Sequence, residues 1–391
     1  MAVPTEFPLI EISGPPLERG RQFGEQAADR IRRGIDQYAA QLGANGLGWS
    51  DIRAITAQFE PTIAGFGPHY ITEMRGIAEG AGVEYAGVVL LNARTELLKL
   101  AERRAKGAPA PDDDPDGCTG LVALAEATSA RRLIHAQNWD WKAECAETSV
   151  VLRIRRDDGP DILTFTEAGM LGRFGFNAAG IAITGNYLQC DRDYRQIGVP
   201  LALIRRKVLE QQHLSFALHA VYATAKSASN NIIVSHARGI AIDFECAPDE
   251  TFQVFAAQGL IVHANHFQSP VALAKLLDMG VRETPDSLYR DIRVRDLLTP
   301  YIGKITRETA KAALFDDFET PYSVCRPPRA SFANPSSQTA TVAMIVMEPE
   351  LGIMEVVPLP AINRQFKSYS LEMNIQRPTA MAARLAPAAA A

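Results

Sequence analysis

No stretch of this chain is apolar for the ~20 consecutive residues needed to cross a bilayer, and no two cysteines have the CxxC spacing of a zinc knuckle or a redox pair. The cysteines, Cys118, Cys145, Cys190, Cys246 and Cys325, are scattered and odd in number, which argues against a disulfide scaffold. Positive charge is not in excess either. The 391 residues carry a formal net charge of -5, which gives no general attraction to nucleic acid. One short basic stretch, Arg103, Arg104 and Lys106, is flanked by Asp112, Asp113 and Asp114 and reads as a solvated helix end. The opening MAVPTEFPLIEI lacks the basic region and apolar core of a secretory signal. A cytoplasmic chain is expected, with no membrane or nucleic-acid partner. The balance of 47% hydrophobic and 22% charged residues is that of a soluble globular protein.

What is present changes character along the chain. The first hundred residues have apolar positions at helical spacing. Helices are expected from 16 to 38, from 50 to 59 with Ser50 as a cap, from 71 to 79 and from 85 to 104. Residues 106–117, KGAPAPDDDPDG, are too rich in Pro, Gly and Asp for a helix or a central strand and read as an exposed linker. Strand patterns follow at 119–125, 133–137, 149–154, 162–166 and 181–186. Helices return at 200–211 and 215–225, and strands at 231–235, 240–244 and 260–264. Helices at 287–298 and 307–315 precede a closing hairpin of 339–347 and 353–357. The alanine- and proline-rich tail from Ala380 has no core pattern. Strand blocks separated by helix blocks indicate an α+β fold.

The junction Asp116-Gly117-Cys118-Thr119 carries a specific chemistry. A linker ends in Gly, the residue most tolerant of distorted backbone, and a cysteine starts the first strand. Attack of the Cys118 thiol on the Gly117 carbonyl would move the acyl group from nitrogen to sulfur. Hydrolysis of that thioester would free an α-amine on Cys118, with an unperturbed pKa of roughly 7.7–8.0, able to serve as base for the thiol beside it. The plainer reading is a small buried hydrophobe at a strand start.

Gly117-Cys118-Thr119 followed by Gln137-Asn138-Trp139-Asp140 resembles the peptidase C45 family of isopenicillin N acyltransferase-like enzymes, within the N-terminal-nucleophile hydrolases. Further segments agree in order and spacing: GPPLERGRQFG at 14–24, EMRGIAEGAG at 73–82, LLNARTEL at 90–97, FTEAGMLGRFGFNAAGIAI at 165–183, HANH at 263–266 and YSVCR at 322–326. The resemblance implies a four-layer αββα sandwich. It also implies autocatalytic cleavage into a small chain, 1–117, and a catalytic large chain, 118–391, held together as one composite domain. By the same resemblance Cys118 is the nucleophile, Asp140 lies near the new amino terminus and Asn265 supplies an oxyanion-hole amide. Arg326 meets the substrate. Trp141, where the family's fungal acyltransferase has Phe, is assigned to the acyl or penam pocket, and Asn186 to site support.

The implied reaction is amide hydrolysis or acyl transfer on N-acyl amino acid or penicillin-like amides. No cofactor is expected, although a coenzyme A thioester could serve as acyl donor. The contrasting reading is an uncleaved binding protein that keeps the fold without chemistry. His263 and His266 lack a third metal ligand of suitable spacing and read as structural. Gly76, Gly80 and Gly82 resemble a loose phosphate loop but follow a helix, which disfavours a nucleotide role.

Overall fold

A computed structural model of the chain describes residues 4–104, 117–330 and 337–375. Residues 106–116 of the acidic linker and the alanine-rich tail lie outside the described residues. Fifteen strands run in chain order among the described residues: β1 (Leu9–Ile12), β2 (Gly117–Ala123), β3 (Ile134–Lys142), β4 (Ser149–Ile154), β5 (Ile162–Glu167), β6 (Phe174–Asn177), β7 (Ile181–Tyr187), β8 (Asn230–His236), β9 (Ile240–Cys246), β10 (Thr251–Val254), β11 (Leu260–His263), β12 (Arg329–Ala330), β13 (Gln338–Glu348), β14 (Ile353–Pro358) and β15 (Lys367–Ser370).

They form two sheets. One has eight strands in the order β1-β4-β5-β6-β7-β8-β9-β10; the other has the order β11-β2-β3-β13-β14-β15, with β12 paired to β13 off that path. Every pairing is antiparallel except β1 on β4. The sheets meet through β2 and β3 against β7. The helices Leu201–Leu209 and Leu214–Tyr222 cover the far side of the eight-stranded sheet, and Ser287–Leu298 and Arg307–Leu314 cover the far side of the other. This is the four-layer αββα sandwich. With both faces of the central strands covered, β2 through β7 are buried almost without a break, the polar residues of β3 included, so none shows an alternation of buried and exposed positions.

Two expected helices break into pairs. Instead of one helix over 16–38, the chain forms Pro16–Gln26 and Ala28–Ala44, jointed at Ala27, whose N–H still bonds to the Phe23 carbonyl. The joint lets Pro16–Gln26 lie directly on Pro68–Ala81. A Cβ on Gly20, Gly24, Gly76 or Gly80 would collide with the backbone of the opposite helix, so the contact exists only because all four are glycine. Gly76 and Gly80 are therefore packing residues, and Gly82 closes its helix in the left-handed conformation at φ 64. Between these helices Glu73 receives Arg19 at 2.9 Å and Arg206 at 3.0 Å, all buried.

The expected helix 85–104 divides at Ala93 into Tyr85–Asn92 and Arg94–Arg104. Asn92 is occupied across the joint: its Nδ2 donates to the Gly169 carbonyl and its Oδ1 accepts the Leu171 N–H, both at 2.9 Å. The helix expected at 50–59 runs from Trp49 to Phe66. It is capped by Gly48, whose N–H bonds to Asp51, and not by Ser50.

Candidate active site

β2 and β3 set the site by register. Cys118 lies opposite Trp139 and Gly117 opposite Asp140. Side chains alternate across a sheet, so Cys118 and Trp139 face the eight-stranded sheet while Gly117 and Asp140 face the outer helices. The same alternation places Thr119 near Arg290 of the Ser287–Leu298 helix, 3.0 Å away. Cys118 is buried and lines a cavity of about 30 Å³ walled in part by Arg94, Arg173, Arg205, Asn186 and Tyr187.

The backbone of Cys118 is held on both sides. Its N–H donates to Asn265 Oδ1 at 2.9 Å, and its carbonyl accepts from Arg290 Nη1 at 2.7 Å. Arg290 Nη2 also donates to Asn265 Oδ1 at 2.8 Å, which fixes that atom as the amide oxygen. Asn265 Nδ2 then donates to the Tyr187 carbonyl at 2.9 Å, on the cavity wall. The asparagine expected near Cys118 is there, and its oxygen faces the Cys118 nitrogen. Arg290, fully buried, is a site residue that sequence reasoning missed. Its signal was weak, one Arg among several in SLYRDIRVRD.

Behind the peptide bond lie Asp140 and Arg326. Asp140 Oδ2 is 3.2 Å from Arg326 Nε, and Arg326 Nη2 pairs with Asp286. Arg290 Nε also reaches Asp286, at 2.7 Å. A Cβ on Gly117 would strike Asp140 and the Arg326 guanidinium, so only glycine fits at that position. Burial raises the Asp140 carboxyl above the usual range, against the pull of Arg326 and Arg290 and of a hydrogen bond from Thr341. Asp286 is also opposed by burial, yet the charges of Arg290 and Arg326 hold it below the usual range. The sequence expectation for Arg326 is a substrate contact. The structure sets its guanidinium between two carboxylates, on the side of the sheet away from the cavity.

Trp141 donates its Nε1–H to Tyr38 at 3.1 Å and has Arg94 over its ring at 4.9 Å, so it reaches the cavity wall only through Arg94. Asn186 lines the cavity and is fixed by Gln137, Asn231 and the His263 carbonyl. The other cysteines are buried thiols whose pKa burial raises: Cys190 to about 11, Cys325 to about 12, and Cys145 and Cys246 upward as well.

His263 is held in a buried ion pair. Its Nε2 lies 2.9 Å from Glu245 Oε1, fully buried, and no cluster of three or more metal-binding side chains occurs among the described residues. Burial opposes its charge, but Asp243 and Glu245 overcome that and raise its pKa to about 9. A raised folded pKa contributes stability that is complete below the unfolded value of ~6.5 and is lost as pH climbs through the folded one. The melting temperature of the wild type should therefore fall more steeply from pH 7 to pH 9.5 than that of His263→Gln. Parallel curves would remove His263 as the cause.

With the geometry in place, similarity to known proteins is informative. Residues 127–357 match the family model described as acyl-coenzyme A:6-aminopenicillanic acid acyl-transferase, a span that holds Asp140, Asn265 and Arg326 and begins just past Cys118. The 40 kDa form of acyl-coenzyme A:6-aminopenicillanic-acid-acyltransferase from Emericella nidulans is 29% identical over 348 residues, covering 87% of this chain and 89% of the relative. Among solved structures, a C2A mutant of conjugated bile acid hydrolase from Clostridium perfringens aligns with a TM-score of 0.44 at 13% identity, over 65% of this chain and 92% of that one. The Caenorhabditis elegans ortholog of N-acylethanolamine-hydrolyzing acid amidase aligns with a TM-score of 0.42 at 16% identity, over 65% of this chain and 100% of that one.

Proposed function

The chain belongs to the acyl-coenzyme A:6-aminopenicillanic acid acyl-transferase family, and from that premise we propose that it hydrolyses or transfers acyl groups of amides through Cys118, after cutting itself between Gly117 and Cys118. The observation that carries this reading is the grip on one peptide unit. Asp140 and Arg326 press on Gly117 from one side, Asn265 and Arg290 hold the Cys118 backbone, and Cys118 opens on the cavity from the other.

Maturation follows from these positions. Cys118 Sγ bonds to the Gly117 carbonyl carbon, the C–N bond breaks, and the thiol proton ends on the Cys118 nitrogen. Water then adds hydroxyl to Gly117 and returns a proton to sulfur. The freed α-amine stays at the Asn265 oxygen that held it as an amide. Asp140, across the ladder, supplies a carboxylate behind it, and Arg326 keeps that carboxylate in place.

In turnover the amine accepts the thiol proton, and sulfur attacks the substrate carbonyl. Asn265 Nδ2 has a second hydrogen beyond the one on Tyr187 and donates it to the developing oxyanion. The amine product leaves with the proton. Water or an amine acceptor then takes the acyl group from sulfur. N-acyl amino acids and penicillin-like amides are the proposed substrates, coenzyme A thioesters alternative donors, and no step calls for a metal or cofactor. The products of the cut, 1–117 and 118–391, form one composite unit, with β1 of the first in the same sheet as β4 of the second.

Intact mass spectrometry tests this directly. The purified protein should give two masses summing to the chain plus one water. Brief incubation with an N-acyl amino acid followed by acid quench should add the acyl mass to the Cys118 peptide. An acyl adduct on a different residue would sink the assignment.

A further inference from the structure

Arg205 is a buried cation without an anion. It is 8% exposed, it lines the Cys118 cavity, and it makes no hydrogen bond or ion pair among the described residues. Its Nε is sealed from solvent and has no acceptor. Its neighbours do not neutralise it. Arg94 and Arg173 both bond to Glu167, at 2.9 and 2.8 Å. Glu96 lies near, but burial raises its pKa, and its Oε1 is taken by the Leu201 N–H at 2.9 Å. Three guanidinium groups thus converge on the cavity, two of them bonded to Glu167 and Arg205 bonded to neither carboxylate. Burial, with the neighbouring charge of Arg173, lowers the Arg205 pKa to about 9, the mark of a cation short of counter-charge.

The space around Arg205 is reserved for it. A Cβ on Gly185 would come within 3.2 Å of Arg205 Nη2 and also strike the Asn231 carbonyl, so the β7 residue beside the guanidinium has no side chain. Arg173 is pinned 3.7 Å above the Trp139 ring, and its own Nε has no acceptor. An uncompensated buried charge is costly. A cavity of about 30 Å³ holds about two water-sized groups, the size of the two oxygens of a carboxylate.

We propose that Arg205, with Arg173 beside it, forms an anion subsite next to Cys118 that receives a carboxylate of the substrate. The proposal rests on Cys118 as the nucleophile of an amide-acting enzyme, and it makes Arg205 the residue that selects acidic substrates. A guanidinium suits this task because it offers two parallel N–H donors to a carboxylate. Arg326 is excluded from it by its two carboxylate partners.

Alkylation of Cys118 tests the subsite without any substrate. Iodoacetate carries a carboxylate and iodoacetamide a neutral amide of similar size. In the wild type, the ratio of iodoacetate to iodoacetamide labelling at Cys118 should exceed that of the same cysteine in the urea-unfolded chain. Arg205→Met should lower the folded ratio about 10-fold or more, the worth of a charge-assisted hydrogen bond, with Arg205→Lys between. An unchanged ratio in folded Arg205→Met overturns the subsite, as does a Cys118 that neither reagent labels. If Arg205→Met does not fold, wild-type protection decides: phenylacetate should slow iodoacetamide labelling and phenylacetamide should not, and equal protection overturns the proposal. The same shift should appear as the kcat/KM ratio between an N-acyl amino acid and its methyl ester. Charge-selective alkylation without any acyl adduct on Cys118 would leave the subsite standing and remove the proposed function instead.

Discussion

Cys118→Ala is expected to yield one full-length chain with no measurable amide turnover. In the proposed mechanism the same sulfur makes both bonds, first to Gly117 and then to substrate, so one atom would account for both losses. Removing a nucleophile typically costs about 10⁶ in kcat. Cys118→Ser should separate the steps by degree, because a hydroxyl at neutral pH is a far weaker nucleophile than a thiol. Slow or absent cleavage and severely reduced turnover are expected. Selective alkylation supplies an independent check, since the other cysteines are buried and their thiols held protonated. Intact mass and a denaturing gel read the outcome. Wild-type protein that stays one chain after long incubation yet turns over amides would rule out the N-terminal-nucleophile mechanism; one chain without turnover would favour a binding protein.

Asn265→Ala should lower kcat by about 10²–10³, the usual cost of one oxyanion donor, with a smaller change in KM because the charge it meets develops in the transition state. The proposed mechanism gives this residue two distinct duties. Its oxygen receives the Cys118 nitrogen and Arg290, and its amide nitrogen supplies the donor. Asn265→Asp keeps the acceptor and removes the donor. It should therefore lose as much turnover as the alanine variant, even though its carboxylate gains Arg290 as a partner. Near-normal kcat in Asn265→Asp would restrict the side chain to positioning the amine and end the oxyanion role.

The order of helices and strands was largely readable because buried central strands and amphipathic helices leave strong periodic signals. β1, β6, β10, β12 and β15 were missed: each is two to four residues long and is defined by its partner in the sheet, not by its own pattern. The helix joints at Ala27 and Ala93 were invisible for a related reason, since neither contains Gly or Pro and both are imposed by packing. The recurring segments have now acquired physical sense. Gly14–Gly24 and Glu73–Gly82 are two helices in backbone contact with the Arg19–Glu73–Arg206 cluster between them. Glu167 gathers Tyr38, Arg94 and Arg173, tying 90–97 to 165–183. Residues 117, 118, 140 and 265 meet as the sequence led one to expect. Which way Arg326 turns could not be read, because it depends on Asp286, 40 residues away and unmarked by any motif. Arg205 was silent too: an Arg in an apolar helix reads as a surface charge until its burial is known.

β1 has one more consequence. It is the outermost strand of the eight-stranded sheet, paired in parallel with β4, and it belongs to the part of the chain that precedes Gly117. Before the cut, folding is a first-order process in which the linker keeps that strand and its helices at high local concentration. After the proposed cut the same fold would be a two-body complex, and recovery from full unfolding would require a second-order encounter. Cleavage would thus alter the molecularity of the folding reaction while leaving the contacts of the folded state in place. The persistence of the mature form would then be governed by the barrier to its first unfolding.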